Sequence, residues 1–87
     1  MAELSVSVVS ADREIWTGSA TQIIATTVEG QIGILAGHQP MLAVLAQGEV
    51  RVTTTDGEKI VIDAEDGFLS VDHNAVQVVA GRAALVA

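Results

Sequence analysis

The fold of this chain is decided by the stretch Glu29-Gly30-Gln31-Ile32-Gly33-Ile34-Leu35-Ala36-Gly37-His38-Gln39-Pro40. Gly30 and Gly37 bracket a short apolar strand. Because glycine reaches a positive φ without steric cost, both ends of that strand are predicted to reverse sharply. Gly33 leaves a gap in the middle of the strand, which predicts a bulge or the close approach of another backbone. Pro40 fixes φ and has no N–H, so the strand cannot continue through it. Gly33, Gly37 and Pro40 are therefore predicted to form a rigid structural corner.

On both sides of this corner, short runs rich in β-branched and apolar residues alternate with turn signals. The runs cover residues 4–9, 13–16, 20–28, 32–35, 50–53, 59–63, 68–71 and 75–80, with a last apolar piece after Gly81. Residues 41–46 are short and apolar, and we predict a buried strand or a compact turn there. The dipeptide Asp56-Gly57 predicts a hairpin in which both central residues have a positive φ. Turns are also expected at 10–12, 17–19, 65–67 and 72–74.

No stretch of the sequence has a sustained helical period. The class is therefore all-β, and the frequent turns favour a two-sheet antiparallel sandwich or flattened barrel. We detect no linker, repeat or low-complexity tract, so residues 1–87 are predicted to form a single domain.

Composition excludes several classes of partner. Eleven acidic residues stand against four scattered basic ones, which gives a formal net charge of −7. Binding to nucleic acid or to an acidic lipid surface requires clustered Lys and Arg, so neither partner is expected. The 49% hydrophobic content indicates a folded chain, and we expect it to be soluble when isolated. It has no cysteine, so a disulfide framework is excluded.

We find no candidate for catalysis, metal binding or cofactor binding. The two imidazoles, His38 and His73, lie in different predicted turns and lack further ligands or an orienting partner at suitable spacing. The acidic run 63–67 lacks the ligand pattern of a calcium loop. Lys59, close to a hairpin tip, leaves one alternative open, namely a small carrier or ligand-binding sandwich with a modified lysine. Since Lys59 follows the turn instead of standing at its tip, an acidic interaction module that docks through the corner is the favoured interpretation.

The sequence also resembles the epsilon-subunit family of the F-type ATP synthase, which is called delta in mitochondria. The residues that carry this resemblance are Glu29-Gly30-x-Ile32-Gly33-Ile34-Leu35-x-Gly37-His38-x-Pro40-Met41-Leu42, followed by Leu45 and Gly48, with residues 4–12, 16–18, 67–71 and 76–80 in the family's order and spacing. The resemblance covers essentially the whole chain. It implies a β-sandwich of about ten strands in a non-catalytic subunit of the central rotor stalk, which couples proton-driven rotation to ATP synthesis.

The resemblance also implies partners for particular residues. The loop that matches Glu29, Gly30 and Gln31 faces the basic polar loops of the membrane c-ring in that family. The positions that match Ser10, His38 and Met41-Leu42-Ala43 lie towards the gamma subunit. The implied location is the cytoplasmic face of a bacterial cell membrane, reached through the complex and without direct membrane contact.

Two departures from the family pattern concern the same region. Ala36 stands where the family usually has proline, which removes some rigidity from the corner, and Gln31 stands where an acidic residue is frequent. The family normally continues into a helical hairpin that restrains ATP hydrolysis and in some members binds ATP. The chain ends at Ala87, about where that hairpin would begin, so neither property is expected of this polypeptide.

Overall fold

A computed structural model describes residues 3–11 and 13–86. The predicted turn residue Asp12, and the domain ends Met1, Ala2 and Ala87, lie outside the described residues. The described chain is all-β, as predicted. Its strands are β1 (Leu4–Ser10), β2 (Glu14–Thr27), β3 (Gly30–Leu35), β4 (Met41–Val44), β5 (Gly48–Thr54), β6 (Lys59–Asp72) and β7 (Ala75–Leu85).

The strands form one sheet that closes on itself. Its order is β1-β7-β6-β5-β2-β3, β1 also pairs with β2, and β4 pairs with β6. All pairings of named strands are antiparallel except that of β1 with β7, which is parallel. The prediction of an antiparallel sandwich therefore needs one correction. The first strand lies between β2 and the last strand, and β7 runs in its direction.

Pairing registers divide the closed sheet into two layers. The first, which we call the β3 layer, contains β3, the second half of β2, β5, the first half of β6 and the end of β7. The second, the β4 layer, contains β4, the second half of β6, the first part of β7, β1 and the first half of β2. Strands β2, β6 and β7 contribute to both layers. Seven strands thus supply the ten strand segments of the expected sandwich.

Three of the predicted breaks lie inside these long strands. No turn interrupts residues 17–19, 65–67 or Gly81, and β2, β6 and β7 continue through them. In β2, Thr21 is an extra residue between the pairs that Ala20 and Gln22 form with β5. In β6, Asp66 has a φ of 59° and faces Gly81 of β7. In β6 and β7, glycine and polar residues mark the place where the chain changes layer. In β2 the change of layer comes at residues 20–22, just after the predicted turn.

Gly67 lies where β6 and β7 change layer together. A Cβ atom at this position would collide with the carbonyl oxygen of Val79 and would lie 2.6 Å from the Cα atom of Ala80. Both obstacles belong to the backbone of β7, which is also held by β1 on its other side. The missing side chain at Gly67 is therefore what allows β6 and β7 to stay paired at the bend.

The core lies between the two layers and is built from alternate residues of the strands. Its largest fully buried side chains are Leu4, Val8, Ile23, Ile34, Val50, Val52, Ile62, Leu69, Val71, Val76 and Val78. Ile15, Trp16, Ile32, Met41, Ile60 and Ala83 pack against them while remaining partly exposed. This alternation confirms the pattern expected from the sequence, in which one face of each strand is buried.

The turns at both ends of the predicted corner are observed, whereas its rigidity stays a prediction. Gly30 and Gly37 have positive φ angles of 118° and 86°, as predicted. Pro40 immediately precedes β4. The prediction for Gly33 is wrong within this chain, because β3 pairs with β2 in an unbroken register and nothing lies within 4 Å of a Cβ atom built at Gly33. The corner therefore has tight ends and an open middle.

The remaining turns and β4 refine the prediction. Gly57 has a positive φ of 89° but Asp56 does not, so only one central residue of that hairpin has the predicted geometry. In the hairpin between β6 and β7, by contrast, both central residues have a positive φ, of 50° at His73 and 66° at Asn74. Residues 41–44 form a strand, and its side chains alternate between partly buried and exposed instead of being fully buried.

Substitution of Gly67 by alanine should destabilise the domain strongly. The added methyl group meets backbone on two sides, so β6 and β7 must separate at the bend, and we expect a loss of about 1–3 kcal/mol or more in the free energy of unfolding. Urea denaturation followed by circular dichroism measures this loss.

Gly33→Ala is the matched control for this substitution. Gly33 does not have a positive φ and its surroundings are open, so an alanine side chain fits there without strain. Because alanine gives the unfolded chain fewer conformations than glycine does, the free energy of unfolding should rise by about 0.4–1 kcal/mol. Equal stability of the two variants would contradict the role assigned to Gly67.

Candidate functional site

The first candidate surface is the hairpin tip between β2 and β3, formed by residues 28–31. The hydroxyl of Thr27, itself nearly buried, donates to the carbonyl of Gly30 at 2.7 Å and accepts from the N–H of Glu29 at 3.1 Å. Glu29, Gly30 and Gln31 are all exposed, and Val28 is 64% exposed. The tip therefore presents one carboxylate, one amide and one apolar side chain, and the Thr27 hydroxyl holds the backbone of its turn.

Two backbone hydrogen bonds attach the base of this tip to the segment that follows β4. The N–H of Val28 donates to the carbonyl of Val44 at 3.0 Å, and the N–H of Ala46 donates to the carbonyl of Thr26 at 3.1 Å. Thr27 also forms an isolated bridge with Leu45. The tip belongs to the β3 layer and β4 belongs to the other, so these bonds hold the two layers together at this end.

The second candidate surface is the outer face of the β4 layer. The registers place Val44 opposite Phe68, Phe68 opposite Val79 and Val79 opposite Val9, and together these four residues form what we call the apolar row. Val44 is 57% exposed and Phe68 is 40% exposed. Leu42, two residues before Val44 on the same side of β4, is 70% exposed. The apolar row crosses four neighbouring strands, and an exposed apolar patch of this kind is typical of the centre of a protein interface.

Polar residues flank the apolar row on the same face. Across the neighbouring strands, the residues aligned with Leu42 are Ser70 of β6, Gln77 of β7, Ser7 of β1 and Thr17 of β2. All four of these side chains are uncharged, so this side of the row has hydrogen-bonding groups without a charge, whereas the exposed Glu14 of β2 lies opposite Val9 at the end of the row. Such a border is typical of the rim of an interface.

The residues expected to face gamma differ in burial, and they lie at different positions along this layer. Leu42 lies on the outer face, whereas Met41 packs against the core and Ala43 is half-buried. Ser10 ends β1 opposite Ala80, and its N–H and hydroxyl both donate to the carbonyl of Arg13, at 2.8 and 3.3 Å.

His38 lies at the other end of the layer from Ser10. The neighbouring Gly37 donates its N–H to Oδ1 of Asn74, in the β6–β7 turn, at 2.7 Å. His38 itself places Nδ1 2.8 Å from the carbonyl of Gln39, and since a carbonyl can only accept, the proton is on Nδ1. The expected gamma-facing residues therefore span the length of the layer instead of forming one cluster.

Sequence reasoning missed the apolar row. The signal was present, because Phe68-Leu69 and Val78-Val79 are pairs of consecutive apolar residues in strands that otherwise alternate. Since successive side chains point to opposite faces, one member of each pair must be outside when the other is buried. Leu69 and Val78 are fully buried, which leaves Phe68 and Val79 outward.

The charged side chains are mostly at the surface. Arg51 pairs with Glu49 at 2.8 Å, Arg82 pairs with Glu65 at 3.1 Å, and the imidazole of His73 lies 2.7 Å from Asp72. No ion pair within residues 3–11 and 13–86 includes Glu29. The carboxylate of the tip is therefore available to a basic partner.

Residues 3–11 and 13–86 contain no group of three or more His, Cys, Asp or Glu side chains that could hold a metal ion. Lys59 donates to Oγ1 of Thr53 at 3.3 Å, across the β5–β6 hairpin. The lysine is therefore a cross-strand partner on the sheet, not the tip of a loop.

Among the residues that the structure describes, no helix is long and apolar enough to cross a membrane.

Comparison with known proteins identifies the family. The family model described as the beta-sandwich domain of the ATP synthase delta/epsilon chain matches residues 3–86. The ATP synthase epsilon chain of Micrococcus luteus is 55% identical over 85 residues, which are 98% of this chain and 93% of the relative. That of Streptomyces avermitilis is 45% identical over 84 residues, which are 97% of this chain and 68% of the relative.

Solved structures agree with these matches. A chain in the cryo-EM structure of the Euglena gracilis mitochondrial ATP synthase, comprising OSCP, F1 and the c-ring, superposes with a TM-score of 0.91 at 26% identity, over 98% of this chain and 54% of that one. This chain therefore spans about half the length of the Euglena chain. A chain from the central stalk and c-ring of the Tetrahymena thermophila mitochondrial enzyme has the same fold, with a TM-score of 0.77 at 17% identity over 94% of this chain and 66% of that one.

The family match extends over both candidate surfaces, and the observed two-layer β fold is the one that the resemblance implied. The chain belongs to the family of ATP synthase delta/epsilon chains, and the structure described here is that family's β-sandwich domain.

Proposed function

We propose that this domain is a non-catalytic docking piece in the central stalk of an F-type ATP synthase. It joins the gamma subunit to the c-ring, so that proton-driven rotation of the ring reaches the catalytic subunits. The observation that carries this proposal is the combination, on one small closed sheet, of an exposed apolar row and an anchored acidic hairpin tip. The Micrococcus and Streptomyces relatives are ATP synthase epsilon chains, and the Euglena structure contains F1 and the c-ring, which supports this assignment.

The tip is the proposed contact with the c-ring. Glu29, Gly30 and Gln31 are exposed, and the backbone turn beneath them is held by the Thr27 hydroxyl. A fixed turn loses little conformational entropy when it docks. The basic polar loops implied for the ring would meet the Glu29 carboxylate, which has the complementary sign.

The outer face of the β4 layer is the proposed contact with gamma. Its apolar row and Leu42 supply the apolar centre, while Ser10 and His38 lie at the two ends of the layer. Met41 and Ala43 act on this surface indirectly, since Met41 packs against the core and Ala43 is half-buried beside the exposed Leu42. A partner that lies along the whole layer would contact the apolar row and Leu42 and would reach Ser10 and His38 at the two ends.

The bonds at the base of the tip explain how one contact can act on the other. Val28 in the tip donates to Val44 in the apolar row at 3.0 Å. The two proposed interfaces therefore share a hydrogen-bonded backbone segment, and a force applied at the tip reaches the gamma-facing layer without passing through a flexible linker.

The proposed location is the cytoplasmic face of a bacterial cell membrane, where the domain is held through the complex. The proposal requires no cofactor and no nucleotide site in this domain. The alternative of a carrier sandwich with a modified Lys59 loses its basis, because that lysine is a cross-strand partner and the relatives are ATP synthase chains.

Leu42→Asp should weaken binding to gamma. The substitution places a charge in the apolar centre of the proposed interface, and we expect the dissociation constant to rise about tenfold or more, which is about 1.4 kcal/mol. Because Leu42 is 70% exposed, the stability of the isolated domain should change little. Titration calorimetry with the gamma subunit of the same enzyme measures the effect.

Leu35→Asp is the matched control, since Leu35 is 58% exposed but belongs to the β3 layer. It should bind gamma like the unchanged domain. The assignment of the gamma-facing layer fails if both variants bind equally well, or if the two lose affinity equally.

Glu29→Lys should weaken the contact with the c-ring. An exposed ion pair contributes about 0.2–1 kcal/mol, and charge reversal turns the attraction into repulsion, so we expect the affinity for the ring to fall about threefold to tenfold. In reconstituted complexes, ATP-driven proton pumping should fall relative to ATP hydrolysis, and the loss should shrink as salt increases.

The control for this charge reversal is Glu58→Lys, which changes the net charge equally at an exposed residue of the β5–β6 turn. It should leave the ratio of pumping to hydrolysis unchanged, and neither variant should alter the affinity for gamma. Normal coupling in Glu29→Lys complexes at low salt would refute the electrostatic contact.

A further inference from the structure

Strand β3 has one hydrogen-bonded edge and one open edge. Its six residues, 30–35, pair with residues 22–27 of β2 in continuous register. Within residues 3–11 and 13–86, no second strand pairs with β3, and the chain leaves towards Asn74 at Gly37. Every second residue of such an edge directs its N–H and C=O groups away from the sheet, where another strand can use them.

The open edge lacks the features that usually prevent strand addition. Residues 30–35 include no charged residue and no proline, and the strand has no bulge. On its outer face, Gln31 and Leu35 are exposed on either side of Gly33, where even a Cβ atom would meet nothing within 4 Å. An approaching backbone finds neither a charge nor a side chain in its way.

We propose that this edge binds the same edge of a second copy of the chain, so that two β3 strands pair antiparallel about a two-fold axis through Gly33. The register sets Gly33 against Gly33, Ile32 against Ile34, and Gln31 against Leu35. The two β3 layers then form one continuous sheet across the dimer.

Self-complementarity favours a second copy as the occupant. The proposed register matches apolar residues with apolar residues on the inner side of the strands, where Ile34 is already fully buried. It also brings Glu29 of one copy beside the loop that carries His38 of the other.

The paired form belongs to the subunit before assembly. Strand β3 starts at Gly30, so a second copy along its edge covers the tip that we assign to the c-ring. The inference does not depend on that assignment, because the pairing uses only the edge of β3. The net charge of −7 on each copy opposes the association, so the dimer forms at high protein concentration.

A cysteine at the two-fold axis tests the register directly. The chain has no cysteine of its own, and Gly33→Cys fits open space at an ordinary φ. Directly opposed residues of an antiparallel pair have Cα atoms about 4.5–5.5 Å apart, which a disulfide spans. On incubation with oxidised glutathione, this variant should form a covalent dimer on non-reducing gels in preference to the mixed disulfide.

Three further cysteine variants separate the proposed pairing from random collision. Gln77→Cys is also exposed but lies in the middle of the β4 layer, and it should cross-link about tenfold more slowly than Gly33→Cys. Gln31→Cys and Leu35→Cys should cross-link slowly when alone but rapidly when mixed, since position 31 faces position 35 of the other copy. Equal rates for all of these variants would overturn the register.

Sedimentation equilibrium of the unmodified chain supplies the second measurement. Its weight-average mass should rise towards twice that of the monomer as the concentration increases. Gly33→Lys, which sets two like charges against each other, should remain monomeric, whereas Gln77→Lys, with the same change in net charge, should dimerise at least as well as the unmodified chain. A monomeric mass at all concentrations up to about 1 mM, or dimerisation of Gly33→Lys, would overturn the proposal.

Discussion

The contact between the backbones of β6 and β7 at Gly67 is the constraint on which the rest of the structure depends. There the two strands change layer while remaining paired, and no room is left for a side chain. Because β6 also carries β5 in one layer and β4 in the other, the bend fixes where both neighbours lie. The closed sheet, its core between the layers and the positions of both candidate surfaces all follow from this crossing.

The two candidate surfaces are near each other in the backbone but differ in chemistry. The tip is polar, small and held by the Thr27 hydroxyl, whereas the outer face of the β4 layer is broad and apolar along one row. Their separation follows from the layers to which they belong, and their connection follows from the bonds of residues 26–28 with residues 44–46. A domain of this size can thus hold two partners without an internal hinge.

Much of this fold could be predicted from residue patterns, and the exceptions have physical reasons. The alternation of Leu4, Val6 and Val8, and the positive φ of Gly30 and Gly37, depend on local geometry and were predicted correctly. The bends near Gly67 and Gly81 were predicted as turns, because glycine marks both a reversal and a close contact, and only tertiary pairing separates the two.

The candidate site was predictable to a similar extent. The tip at Glu29 follows from a local turn signal, and the structure confirms its exposure. The apolar row could not be assembled from the sequence, since Val44, Phe68, Val79 and Val9 come from four strands whose order depends on long-range pairing. Gly33 shows the opposite case, in which a residue that indicates a close contact has open space around it in the single chain.

The parallel pairing of β1 with β7 has a consequence for how the domain is made. The first strand is bordered by β2, which follows it at once, and by β7, the last of the seven strands in chain order. Until β7 has left the ribosome, one edge of β1 has no partner and the sheet cannot close. Formation of the native domain must therefore wait until all seven strands are available, and such long-range pairing is expected to slow folding.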